Sequence, residues 1–280
     1  MKRPDFILGL TASAASDRGL VLNRAFELGI TRINTPDAKD VAGFVGRFAK
    51  KSNCKVQTHF RLSPGSDSSK GSVTDIFEQA CQSMGLDGLE TFSFESLDDI
   101  KNNPQSLVEL VEIKKKNRLQ NIGVLVGTEA AILAAAKIPA LQVLQVSFNL
   151  IENSLNLGTA LKKALEAGKI LQAVAPFMGG VLTRSAQNLP EKYQTLAPSL
   201  KKLTDLAGRS KMSMESLCLA YVLQQKFFSA VIVEAESKDQ LVKNWQSYQA
   251  ASRLEIRWDE IHRITQDDSK KLALSLSATI

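Results

Sequence analysis

At 280 residues with 44% hydrophobic side chains, the chain exceeds the commonest domain size but matches one α/β barrel and can fill one large core. Charged residues make up 23% for a formal net charge of +6. The only cationic run, Lys114 to Lys116 beside Arg118, falls at a helix end without interleaved aromatics, which argues against nucleic-acid binding. Cys54, Cys81 and Cys218 are spaced too irregularly for a disulfide framework or a metal knuckle, and no apolar run suits a membrane span or signal peptide, so a cytoplasmic protein is expected, with no metal and no membrane.

Short β-rich apolar runs alternate with longer stretches of helical periodicity, the pattern of a parallel sheet built from βα units. In chain order, strands are expected at Phe6–Leu10, Thr31–Asn34, Lys55–His59, Leu89–Phe94, Asn121–Leu125, Val143–Ser147, Ile170–Val174 and Ala230–Val233. The helices between them include Leu20–Leu28, Val41–Lys50, Val73–Met84, Leu107–Lys115, Glu129–Ala136, Ala160–Ala167 and Leu241–Ala250, with two more between the seventh and eighth strands. Gly29, Gly85 with Gly88, and Gly168 stand where helices should stop.

Residues 61–72, with Pro64, Gly65, Gly71 and five serines, read as a polar loop over the barrel mouth, and 176–198 as a second long connection. The chain closes with a helix over Glu255–Gln266 and a tail from Leu272 to Ile280, mobile unless it packs across a groove. Eight βα units without an internal repeat predict a (β/α)8 TIM barrel, one domain over residues 1–280, with its site at the C-terminal strand ends.

Several segments there are family-specific. "FELGITRINTPDA" at 26–38, "GLDGLETFSFES" at 85–96 and "NRLQNIGVLV" at 117–126 resemble the second, fourth and fifth strand regions of the aldo-keto reductases. "LQVSFNL", "APFMGGVL" and "VIVEAESKDQLVKNW" resemble the sixth, seventh and eighth, so the likeness runs in register over most of the chain. It implies the TIM barrel again, NADP(H) as cofactor, and carbonyl reduction in which a tyrosine proton donor is tuned by a lysine, a histidine and an aspartate.

Carried across position by position, that tetrad falls on Asn34 for the aspartate, Lys39 for the tyrosine, His59 for the lysine and Glu95 for the histidine. None of the four is retained. Of Tyr193, Tyr221 and Tyr248, only Tyr193 lies on a loop able to reach the mouth. Lys39, His59 and Glu95 are titratable and can form a different acid–base set; equally, His59 and Glu95 can be strand-end residues bonded to each other or to backbone.

The cofactor positions have changed as well. The Ser-Asn pair that holds the nicotinamide carboxamide falls on Leu125 and Val126, which have no side-chain donors or acceptors, and the ring-stacking position falls on or near Val174. Gln145 is retained, and Ser237, Lys238 and Asn244 are vestigial contacts to the adenosine phosphate. Beside them stand Glu234 and Glu236, each repelling a phosphate by roughly 3 kcal/mol per charge pair at about 5 Å and a dielectric near 20. Both also suit helix-start acids.

Asp98-Asp99 reads as a helix start, His262 as a surface or packing residue, and Gly179-Gly180 as a sharp turn without the Lys-Ser of a phosphate loop. The expectation is an aldo-keto reductase-like barrel that has lost the reductase tetrad and is non-catalytic or repurposed, binding an unknown small molecule or protein partner. One alternative is a divergent NAD(P)H-dependent oxidoreductase of carbonyls or enones with relocated acids such as Tyr193. The other is a cofactor-free lyase or isomerase using His59 and Glu95.

Overall fold

A computed structural model describes residues 3–10, 18–36, 39–52, 54–60, 72–251 and 253–277, with backbone alone for 36, 39–43, 52, 59–60, 154–156 and 273–277. Eight parallel strands close a barrel in sequence order: β1 (Asp5–Gly9), β2 (Arg32–Pro36), β3 (Lys55–Phe60), β4 (Leu89–Phe94), β5 (Leu119–Val126), β6 (Val143–Ser147), β7 (Ile170–Val174) and β8 (Ala230–Glu234). β8 pairs back onto β1 from Asp5↔Ala230 to Gly9↔Glu234. The eight-stranded (β/α)8 expectation is met.

The helices are α1 (Arg18–Glu27), α2 (Lys39–Ser52), α3 (Val73–Met84), α4 (Leu97–Asn102), α5 (Pro104–Lys115), α6 (Glu129–Ala136), α7 (Ser154–Glu166), α8 (Ala197–Arg209), α9 (Met214–Leu223), α10 (Lys238–Ala251), α11 (Trp258–Thr265) and α12 (Asp268–Ser277). Local chemistry starts and stops them. Ser72 and Ser96 form capping boxes with Asp75 and Asp99 at the heads of α3 and α4, and Thr128 caps α6. Gly85, at φ 61°, ends α3 in the left-handed conformation. None of these helices is long and apolar enough to cross a membrane.

Two apolar layers form. The larger lies between strands and helices; α7 contributes Leu157, Ala160, Leu161 and Ala164, the spacing of one helix face. The smaller is Ile7, Ala230 and Ile232 with Val174, inside the barrel. The rest of the interior carries buried polar side chains: Gln57, Thr91 and Ser93 on β3 and β4, Gln145 and Gln172 on β6 and β7. Gly123 leaves room for them, because a Cβ there would collide with Ser93 Oγ and crowd the Thr91 methyl.

Several boundaries differ from the sequence reading. β2 runs on to Pro36, β5 covers eight residues, and Lys39 opens α2 instead of lying in a loop. Asn103-Pro104 splits the helical stretch after β4, because proline takes a first-turn position and starts a new helix. The last predicted helix begins only at Trp258, and the expected tail is instead α12 as far as Ser277, with Leu272 buried and the helix packed on the 3-10 turn Glu191–Leu196. The loop expected at 61–72 lies outside the described residues except for its last, Ser72, which caps α3.

Candidate functional site

Two clefts open at the C-terminal strand ends and share Ala175. One, of about 660 Å³, lies over β4 to β7 and is called the mouth cleft; the other, of about 570 Å³, lies between the loop after β7 and the β8–α10 junction and is called the side cleft.

The loop between them is tightly formed. Ala175, Met178, Gly179 and Gly180 all have positive φ, which glycine tolerates and alanine and methionine adopt only under constraint, so Gly179-Gly180 does make a sharp turn. Asn149, fully buried, fixes the neighbouring β6 loop. Its Oδ1 accepts from the backbone N–H of Ile151 and Glu152, and its Nδ2 donates to the Ala175 carbonyl. Glu152 is thereby held where its carboxylate accepts from the Ser147 hydroxyl at 2.5 Å, and Ser147 lines the mouth cleft.

The mouth cleft has an apolar wall of Leu97, Leu125, Val126, Ala131 and Val174. Leu125 is 38% exposed in it, unusual for a large apolar side chain at a strand end. The polar rim is Glu95, Ser147, Thr128 and the Asp98–Lys101 pair at 2.8 Å. At the positions given to the carboxamide-holding pair, Leu125 and Val126 can make no side-chain hydrogen bond.

The side cleft is dominated by acids. Glu215, Glu234, Glu236 and Asp239 line it together with Arg184 and Lys243. Lys243 Nζ is 2.6 Å from Glu215 Oε1. Burial opposes the Glu215 carboxylate, but the Lys243 hydrogen bond and further hydrogen bonds outweigh it and hold the pKa below the usual glutamate value. Burial, and secondarily the Glu236 carboxylate, push the Glu234 pKa up. The Glu234 stem lies over Gly9, where a Cβ would come within 2.9 Å of its Cγ.

The four tetrad positions are dispersed over neighbouring elements. Asn34 is buried on β2, in register with Gly9 and Gln57, and lines neither cleft. His59 lies on β3 in register with Pro36 and Ser93, Lys39 is the first residue of α2, and the side chains of both lie outside the described set. Glu95 directly follows β4 and lines the mouth cleft.

The vestigial cofactor contacts fare differently. Gln145 is buried against Gln172 at 3.4 Å and lines neither cleft. Asn244 borders the side cleft, but it is 2% exposed and donates to the Glu234 carbonyl. Ser237 accepts from the Gln240 N–H at the head of α10, and Lys238 is exposed; neither borders the cleft.

Two other expectations need correction. Glu234 is the last residue of β8, not a helix-start acid, and its raised pKa is opposite to what a helix N-terminus would produce. Tyr193 sits in the 3-10 turn Glu191–Leu196 and lines neither cleft. Among the described residues, no group of three His, Cys, Asp or Glu side chains could hold a metal ion. Sequence reasoning missed Ser147 with Glu152 and Glu215 with Lys243. The Asn149-x-x-Glu152 spacing after a strand end was the available signal for the first; the 28 residues separating the second pair gave none.

A family model described as "Aldo/keto reductase family" matches residues 9–266. The crystal structure of MGS-M4, an aldo-keto reductase enzyme from a Medee basin deep-sea metagenome library, is similar in fold with a TM-score of 0.69 and 16% identity, covering 95% of this chain and 91% of its own. No curated protein sequence matches.

Proposed function

The chain belongs to the aldo/keto reductase family, and we propose that it is a member that does not reduce carbonyls with a nicotinamide dinucleotide and instead binds a small molecule at its mouth. The observation that carries this reading is the charge of the side cleft. With Lys243 engaged by Glu215, and Glu236 set aside because it has an interaction of its own within the protein, the described side chains lining it leave Glu234 and Asp239 against Arg184. A dinucleotide phosphate there would face net negative charge. The mouth supports the same reading, since Leu125 and Val126 give a carboxamide no partner, and the four tetrad positions carry Asn34, Lys39, His59 and Glu95. The residues present do not fit NADP(H), and no step is assigned to it.

Titrating NADPH, NADH and their oxidised forms by fluorescence and thermal shift tests this. No stabilisation at millimolar concentration is expected, whereas a ligand at 100 times its Kd would add about 2.7 kcal/mol. Saturable micromolar binding would instead favour a divergent oxidoreductase and make a screen of carbonyls and enones worthwhile. A second reading, a cofactor-free lyase or isomerase, is favoured by Glu95 lining the mouth cleft and by His59 on the adjacent strand. It requires a turnover that Glu95→Gln and His59→Ala both abolish.

A further inference from the structure

We infer that the mouth cleft binds a neutral molecule with a compact apolar body and a single hydroxyl or amide N–H donor, placed against Leu125 and hydrogen-bonded to Ser147. This deepens the binding-barrel reading and rests on it. The body is specified by the wall: Leu97, Leu125, Val126, Ala131 and Val174 offer only alkyl contact. A charged head pressed on that wall would surrender its hydration without compensation.

Among the described residues, charge elsewhere in the cleft is engaged within the protein. Asp98 and Lys101 close on each other at 2.8 Å. Glu95, on the rim, has an interaction of its own within the protein.

The donor is specified by Ser147. A hydroxyl has one proton to give, and here it goes to the Glu152 carboxylate, itself anchored by Asn149. Ser147 therefore turns acceptor lone pairs toward the cleft, polarised by the carboxylate behind it. A carbonyl oxygen, which needs a donor, is mismatched there; a hydroxyl or amide N–H is matched.

The test uses 1-naphthol with three analogues of the same body: 1-naphthoate, 1-naphthylmethylammonium and 2-methylnaphthalene, titrated by fluorescence on the full chain. Naphthol is expected to bind saturably and at least tenfold more tightly than either charged analogue. Leu125→Asp should abolish binding. Ser147→Ala should weaken naphthol about tenfold while leaving 2-methylnaphthalene unchanged, and it keeps the test decisive if Leu125→Asp fails to fold.

Equal or tighter binding of naphthoate or the ammonium, no binding of naphthol, or naphthol affinity indifferent to Ser147→Ala overturns the inference. A parallel NADPH titration separates the two claims. NADPH that binds and displaces naphthol removes the cofactor-free reading while leaving the ligand preference standing.

Discussion

Arg32 on β2 grips Glu90 on β4 with a two-pronged contact, Nε to Oε2 and Nη2 to Oε1, each at 3.1 Å, spanning the width of β3. Gln57 of β3 donates to the same carboxylate at 2.9 Å, and Arg32 also reaches Asp5 of β1 at 3.5 Å. The cluster ties four strands together at their N-terminal ends, the pole opposite the clefts. Glu90 is 8% exposed, so removing Arg32 leaves a desolvated charge with the more exposed Lys55 ammonium, 3.8 Å away, beside it. Arg32→Met is expected to cost about 3–5 kcal/mol in urea unfolding, and adding Glu90→Met should restore most of it. A single variant as stable as wild type would contradict this.

Lys169 fastens the loop before β6. Its ammonium donates to the Ile138 and Leu141 carbonyls at 2.6 and 2.7 Å, and burial lowers its pKa. Lys169→Met keeps the stem but takes the donor from the Leu141 carbonyl and leaves the Ile138 carbonyl with the Leu141 N–H at 3.2 Å. A loss of about 1–3 kcal/mol is expected, with faster amide exchange at residues 138–142.

Glu234 should destabilise the fold at neutral pH. Its folded pKa lies above the ordinary 4.5, so between those values the folded chain holds more proton than the unfolded chain. Its contribution is complete below pH 4.5 and is lost as the pH rises through the folded value. Glu234→Gln should therefore raise Tm at pH 7 and match wild type near pH 4. A lower Tm for the variant at pH 7 would refute this.

His262 has the opposite sign. Its Nε2 lies 3.0 Å from the hydroxyl of buried Tyr221, and burial lowers its pKa below the ordinary 6.5. The unfolded chain takes up this proton first, so stability present above pH 6.5 is lost as the pH falls through the lower folded value. His262→Gln should flatten the decline in Tm between pH 7 and 5, and an unchanged slope would show that other groups govern it.

Much of the barrel was readable because each βα unit repeats a local pattern. The Leu157, Ala160, Leu161 and Ala164 spacing marks the buried face of α7, and Ser96 to Asp99 announces the start of α4. The ends were harder: α12 has one described buried apolar residue, Leu272, and depends on a 3-10 turn more than 70 residues earlier for its packing. The acids of the side cleft were readable at Glu234 and Glu236, which lie in one motif. Their partner in charge, Glu215, and the cation it removes, Lys243, meet only through the docking of α9 on α10. The contact of Gln145 with Gln172 was not readable for the same reason, because it depends on the register of β6 and β7.

The placement of the Arg32–Glu90 cluster bears on how this protein can be rewritten. The ion-pair ties between the strands lie at one pole and the two clefts open at the other, so the mouth is a graft site on a scaffold whose anchorage is elsewhere. Libraries randomised at exposed Leu125 and at Ser147 should retain folding while sampling new chemistry, whereas Val126, 3% exposed in the core, should tolerate few replacements.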